Sequence, residues 1–435
     1  MAQPEMKSVS RGIRVIYSVF FISFLYLLFF TVSLFNEKAR RGICGRKHLF
    51  EDLRRNLSNV PGDHRIWFHA SSLGEFEQAK PIVEILKNAG YHIIVSFFSP
   101  SGYEYSKNYK AADVISYIPL DSAKNARRFV ALVKPCVVVV MRYDLWLNHL
   151  IASKEAGARI IVADATFPMK LIHHPKFLKD FFRELYGLAD EILVTTQGHK
   201  RMFDSFLRRD KSIVVGDTRF DRVHNRSVSN EMSLRFPVPI DKAQRTVLVL
   251  GSTWHSDMEV IEPGVSRLTA KYPNLTVIIV PHEPGKAEVD DLLTKFPAAK
   301  AMSELENHRN GDLPVVIVDR VGLLTQLYVL ADVAFVGGGF GAGVHSVLEP
   351  AVYGVPIITG PRIERSDEAL ELHKNGALFF VKNRAEAYHV FLKMVGDTAA
   401  RKNAGSIAKE FVNRNLGASQ SVAEKVKQLC DGKIS

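Results

Sequence analysis

Cysteine is scarce. Cys44, Cys136 and Cys430 are the three in 435 residues, far apart and without a CxxC pair. That usage argues against a disulfide scaffold or a zinc knuckle and for a reducing compartment, with Cys136, at the head of an apolar run to Met141, read as core. No HExxH or other metal-ligand spacing occurs, so no metal site and no cofactor is assigned. GK[ST] is absent and the glycine-rich stretch does not follow G-x-G-x-x-G, which removes support for P-loop and dinucleotide readings. There is no internal repeat and no low-complexity tract. Acid is in deficit, with 46 Asp+Glu against 57 Lys+Arg, net charge +11 and pI about 9.4. The excess favours anionic partners: a membrane surface, a phosphorylated substrate or nucleic acid.

One long run is uncharged. Val15 to Phe35 is rich in Phe, Leu, Val, Ile and Tyr, and about 20 such residues span the hydrocarbon as a helix. The run is long for a signal-peptide core and has no clear small-residue cleavage site, so it reads as an uncleaved transmembrane anchor. Arg11 and Arg14 precede it, while Lys38, Arg40, Arg41, Arg46 and Lys47 follow. The denser basic flank places the rest of the chain on the cytoplasmic face.

After the basic linker, short β-branched runs alternate with amphipathic stretches. Strands are predicted at Arg65–Ala70, His92–Phe98, Cys136–Met141, Arg159–Ala163, Glu191–Thr195 and Ile213–Gly216. Helical patterns, such as Phe76–Ala89 and Lys124–Val133, lie between them. A Pro-containing connector, Phe236 to Arg245, separates these from a second series: Thr246–Gly251, Leu275–Val280, Pro314–Val318, Asp332–Gly337, Val355–Thr359 and Ala377–Val381. Near-continuous apolar strands with intervening helices imply parallel sheets covered on both faces. The expected organisation is an anchor and linker over 1–44, doubly wound domains over 45–240 and 241–405 with a cleft between them, and a polar helical tail over 406–435.

Ser72-Leu-Gly-Glu75 stands where the first strand turns into a helix. It fits the S-x-x-E capping box, which accounts for Glu75 as a cap. The same position favours an ionised carboxylate, as a general base requires. In Asp332 to Pro361, a strand leads through Gly337-Gly338-Gly339-Phe340-Gly341-Ala342-Gly343 to a helix expected near Ser346 or Val347. Such a loop lets backbone amides approach a phosphate. Glu349 either caps that helix or accepts hydrogen bonds from a ribose diol. Arg219 and Arg222 in GDTRFDRV either grip an anion or pair with Asp217 and Asp221. Pro281-His282-Glu283 ends a strand at the edge where ligands sit.

Together, HASSLGE, YDLW, GDTRFDRV, GSTW, the strand ending in PHE, and the stretch from DRVGLL to ITGP resemble the Kdo (3-deoxy-D-manno-octulosonic acid) transferases of Gram-negative bacteria, over nearly the whole chain. The resemblance implies the GT-B fold, two Rossmann-like domains plus an N-terminal transmembrane helix at the inner membrane. It implies transfer of Kdo from CMP-Kdo to the glucosamine disaccharide of a tetra-acylated lipid A precursor. By position, Glu75 is the general base, and Arg142 or Asp144, with Arg219, steadies the transition state. Contacts to CMP fall to Pro281 and His282, to Val321, Gly322 and Leu323, and to Ser346, Val347, Leu348 and Glu349. Gly338, Gly339 and Gly341 form the phosphate loop. His282 stands where the family pattern has Arg, Ser346 where it has Asn, and Arg142 where it has an acid, which marks a divergent branch. The implied partners are CMP-Kdo, the acylated acceptor and an anionic inner-membrane surface, with no nucleic acid. Other readings of the same residues are a GT-B enzyme using a UDP-sugar, a membrane-tethered binding protein and a nucleic-acid binder.

Overall fold

Short runs dense in Val and Ile form the strands, and the amphipathic stretches between them form helices on both sheet faces. The computed structural model describes residues 11–233, 236, 240–307 and 314–432. Part of the predicted connector, 237–239, lies outside the described residues. The chain divides into two units. The first runs to Arg222 and resumes at Leu416; the second is Val223–Asn415.

The first unit holds β1 (Arg65–Ala70), β2 (His92–Phe97), β3 (Val114–Tyr117), β4 (Val137–Met141), β5 (Arg159–Ala165), β6 (Glu191–Val194) and β7 (Ser212–Val214). All are parallel, in the order β3-β2-β1-β4-β5-β6-β7. The order reverses direction between β1 and β4, so the loops after those strands diverge and open a crevice at the carboxyl edge. Trp67, Ile94, Val138 and Ile160 fill one face of this sheet, and Phe68, Val95, Val139 and Ile161 the other.

The second unit repeats the plan with β8 (Thr246–Thr253), β9 (Leu275–Pro281), β10 (Ala299–Ala301), β11 (Val315–Ile317), β12 (Val333–Val336), β13 (Ile357–Thr359) and β14 (Leu378–Phe380). The order is β10-β11-β9-β8-β12-β13-β14, again parallel, and its switch point lies between β8 and β12. The predicted strands are all present. Two more, β3 and β10, were not predicted; each is a short strand at a sheet edge.

The tail is not simply polar. Gly417, at φ +105°, separates the Thr398–Arg414 and Ala418–Cys430 helices. The second buries Val422, Ala423 and Val426 in the first unit's core beside Phe76, Ala79 and Ile82. This docking brings Cys430 against Cys136, and the two form a disulfide with Cα atoms 5.3 Å apart. The reading of Cys136 as simply part of the core is thereby corrected. A sequence separation of 294 residues hid the pair, because only the helix docking reveals their proximity. At the other end, Gly12–Phe35 forms a helix of 24 residues, long and apolar enough to cross a membrane by length and composition.

Candidate active site

Each switch point carries a cluster. In the first unit, β1 ends at Ala70, and Ser72 caps the Leu73–Asn88 helix by accepting from Glu75 N. The Glu75 carboxylate turns back, and its Oε2 accepts from Ser71 N at 2.6 Å. Sequence spacing predicted a bond to the capping residue's own amide; the structure uses the amide one residue earlier. Glu75 is buried, and its Oε1 takes no hydrogen bond among the described residues.

One turn along the same helix, Gln78 Oε1 accepts from Arg142 Nε at 3.0 Å. Residues at i and i+3 share a helix face, so Arg142 is held on the side that carries Glu75. Arg142 follows β4 in the left-handed region, at φ +61°, and its Nε also lies 3.6 Å from Asp164 Oδ2. Asp164, fully buried near the end of β5, is left-handed as well, at φ +54°. Non-glycine residues hold that conformation at some cost, and such strain concentrates at functional sites. Burial first, and then the neighbouring Asp217, push the Asp164 carboxyl up to about 6, against the pull of Arg142. Its Oδ1 accepts from Thr218 N at 3.0 Å, and the adjacent Arg219 pairs with Asp217 at 2.7 Å. Arg222 pairs with Glu77 rather than with Asp221. Asp144 accepts from His69 Nε2 at 2.9 Å and from Trp146 Nε1 at 3.3 Å. Glu75, Arg142 and Asp144 thus line the carboxyl edge at β1 and β4, and Arg219 connects to them through Asp217 and Asp164.

In the second unit, the glycine stretch folds around a residue that sequence reasoning missed. Asp257, fully buried, accepts from Trp254 N at 2.9 Å, Gly338 N at 2.8 Å and Phe340 N at 3.3 Å. Burial raises its carboxyl, and these three amides pull the other way. Gly341 N and Gly343 N bond back to Gly338 O. The amides of Gly338, Phe340, Gly341 and Gly343 therefore have internal partners, while no bond from Gly339 N or Ala342 N forms among the described residues. Gly338 has φ +89°, and a Cβ on Gly339 would collide with the Gly360 backbone at 2.6 Å. The glycines serve the close passage of the β12 and β13 loops as much as any ligand.

Three aromatic rings stand beside this loop. Trp254, after β8, stacks on His282, after β9, with centroids 4.3 Å apart, and His282 stacks on His345 at 4.8 Å. Trp254 Nε1 donates to His345 Nε2 at 2.9 Å. Indole N–H only donates, so His345 is neutral, with its proton on Nδ1; burial lowers its basicity in the same sense. Ser346 is exposed next to this stack, and Val347 and Leu348 point into the core. Glu349 lies in the first turn of the short Leu348–Ala351 helix, and burial pushes its carboxyl up to about 7 against the opposing charge of Arg226. Val321, Gly322 and Leu323 form the turn after β11, next along the sheet beyond β9, with Val321 exposed. Asp164 and Asp257 left only a faint trace in the sequence, lone acids at a strand end and in the first turn of a helix.

Comparison with known proteins bears on this geometry. Residues 41–222 match the family described as 3-Deoxy-D-manno-octulosonic-acid transferase (kdotransferase). The 3-deoxy-D-manno-octulosonic acid transferase of Aquifex aeolicus (strain VF5) is 30% identical over 345 residues, covering 78% of this chain and 88% of that protein. Its counterpart in Chlamydophila psittaci (strain ATCC VR-125 / 6BC) is 31% identical over 331 residues, covering 73% of this chain and 75% of that protein. Among solved structures, UDP-GlcNAc 2-epimerase from Neisseria meningitidis bound to UDP-GlcNAc aligns with 84% of this chain and 100% of its own at TM-score 0.60. At 15% identity this is a likeness of fold alone. The GT-B class expected from the sequence is met by two doubly wound sheets and an apolar N-terminal helix.

Two expected outcomes follow from the second unit. Asp257→Ala leaves buried amides without an acceptor, at about 1–3 kcal/mol each. Thermal melting should show a Tm lowered by more than about 5 °C. Glu349 holds its proton more tightly folded than unfolded, so its ionisation costs stability as pH rises from the ordinary glutamate range through about 7. Glu349→Gln removes that cost, and its Tm gain over the parent should be larger at pH 8 than at pH 5.

Proposed function

The chain belongs to the 3-deoxy-D-manno-octulosonic acid transferase family, and from that premise we propose that it transfers Kdo from CMP-Kdo to the glucosamine disaccharide of a tetra-acylated lipid A precursor, in lipopolysaccharide synthesis, by inverting displacement. Glu75 takes the proton from a primary hydroxyl of the disaccharide. The oxygen bonds to the anomeric carbon of Kdo as the bond from that carbon to the CMP phosphate oxygen breaks, and CMP leaves with the electron pair. In this reading Arg142 and Arg219 would offset developing negative charge, and Asp144 would offset positive charge at the anomeric carbon.

CMP would lie on the carboxyl edge of the second unit. Trp254 and His282 offer flat faces for the base, with Pro281 and the Val321–Leu323 turn beside them. Glu349, once ionised, accepts from the ribose diol. Val347 and Leu348 contribute backbone only, since their side chains are buried. Gly339 and Ala342 are the loop residues whose amides have no bond among the described residues, so they are the candidates to meet the phosphate. The anionic donor and acceptor fit the excess of basic residues, and the apolar N-terminal helix holds the protein at the cytoplasmic face of the inner membrane.

The observation that supports this reading most is the seat of Glu75. One oxygen is fixed by Ser71 N and the other takes no bond among the described residues, so the carboxylate is positioned and still has an oxygen to accept a proton. Capping and catalysis are separable. In Glu75→Gln the amide oxygen still accepts from Ser71 N, but the side chain takes no proton at neutral pH. The variant should keep its Tm and its affinity for CMP while Kdo transfer falls by at least ~100-fold. A lower Tm with normal turnover would return Glu75 to the role of a cap.

A further inference from the structure

The N-terminal helix is apolar on every side, and such a helix needs cover on every side. The first unit covers one. Arg14, Ser18, Ile22, Leu25, Phe29 and Ser33 run down a single side at steps of three or four residues, all at least partly buried. A π-helical turn over Tyr17–Phe21 keeps Ile22 in that stripe. Polar ties extend along the contact. Arg14 pairs with Glu155 at 3.1 Å, Tyr17 OH donates to the buried Asp121 at 2.8 Å, and Ser18 Oγ meets Asn148 Oδ1 at 3.2 Å. Asn125 Nδ2 donates to Tyr26 OH at 3.2 Å, and Phe29 meets Phe98 edge-on at 5.4 Å.

Those partners locate the helix. Phe98 follows β2, Asp121 follows β3, and Asn148 opens the helix after β4. The N-terminal helix therefore lies across the carboxyl edge of the first sheet, the edge that carries Glu75. A short chain of contacts reaches the site itself. Phe98 stacks on Trp146 at 5.1 Å, Trp146 Nε1 donates to Asp144, and Asp144 accepts from His69.

Among the described residues, the opposite side has no cover. Phe20, Phe24, Leu27 and Leu34 are 60–68% exposed. The apolar surface continues beyond the helix: Tyr17 stacks on Phe181 at 5.8 Å, and the same Lys176–Gly187 helix exposes Phe177. Exposed Lys38, Arg40 and Arg41 follow the helix, and exposed Lys176 begins the helix that carries Phe177 and Phe181.

We propose that this helix lies in the plane of an anionic bilayer, its outer face in the hydrocarbon boundary and its inner face on the first unit. A crossing would either break the Arg14, Tyr17, Ser18 and Tyr26 ties or draw Glu155, Asp121, Asn148 and Asn125 into hydrocarbon, where unsolvated polar groups are costly. The in-plane placement keeps every tie and covers both sides. A bilayer is the occupant because the outer face is aromatic and aliphatic while exposed cations border it, the pattern that matches acyl chains beneath anionic headgroups. The placement rests on these contacts alone. Its consequence rests on the transferase reading: a lipid-borne acceptor reaches Glu75 from the membrane surface without leaving it.

A labelling experiment tests the placement without measuring transfer. Ser8→Cys is introduced ahead of the helix in the sequence, and the exposed native Cys44 serves as reference beyond its other end. Sealed membrane vesicles carrying the full chain are treated with a membrane-impermeant maleimide before or after permeabilisation, and each cysteine is read by peptide mapping. In-plane seating puts positions 8 and 44 on the same side. Position 8 reacting only after permeabilisation where Cys44 reacts before, or the reverse, overturns it. The protein should also sediment with the membranes. Phe20→Ser/Phe24→Ser/Leu27→Ser, all outward-facing, should cut that retention at least ~10-fold with Tm unchanged. Unchanged retention, or recovery of the parent as a soluble oligomer, also overturns the proposal.

Discussion

Where a parallel strand ends, the following backbone N–H groups lose their ladder partners, and in this protein carboxylates accept them. Glu75 takes Ser71 N, Asp121 takes Asn148 N and His149 N, Asp164 takes Thr218 N, and Asp257 takes Trp254, Gly338 and Phe340. Each exchange sets an amide that would otherwise be unsatisfied against a carboxylate taken out of water, and a hydrogen bond to an ionised acceptor is stronger than one between neutral groups. The loops at both carboxyl edges take their shape from these bonds. The same edges are where open α/β sheets bind ligands.

The four carboxylates differ in what else they touch. Asp121 adds the Tyr17 hydroxyl, which ties the apolar helix to the sheet. Asp257 shapes the glycine stretch and the aromatic stack beside it. Asp164 balances Arg142 and Asp217, and its buried charge is costly enough that its carboxyl titrates near 6. Glu75 and Asp164 each have a single amide partner, but the second oxygen of Asp164 faces Arg142 at 3.6 Å, whereas that of Glu75 has no bond or ion pair among the described residues. That asymmetry distinguishes a candidate base from structural acids of the same chemistry.

Much of this was legible in the sequence because parallel strands, buried on both faces, announce themselves as unbroken apolar runs; VVVVM at β4 is the plainest. The edge strands escaped for the converse reason. VISY in β3 and AKA in β10 pair on one side only and carry polar residues. Ser72 and Glu75 were readable because capping follows local spacing. Asp164, Asp257, Gln78 and His69 were not, because their roles arise from strands brought together by topology. The glycine loop was read as letting backbone amides approach a phosphate, but its close passage along Gly360 and Asp257 as its internal acceptor were invisible without the fold. The Cys136–Cys430 bond likewise depends on the final helix returning to the first unit.

The central claim concerns the donor and the reaction, and the direct measurement is turnover by the purified full chain. With an acylated glucosamine disaccharide as acceptor, CMP-Kdo and UDP-N-acetylglucosamine are supplied in parallel, and the glycosylated lipid and released nucleotide are quantified. The prediction is Kdo-bearing lipid with equimolar CMP from the first donor and no product from the second. Transfer from UDP-N-acetylglucosamine, or from neither donor, would contradict it.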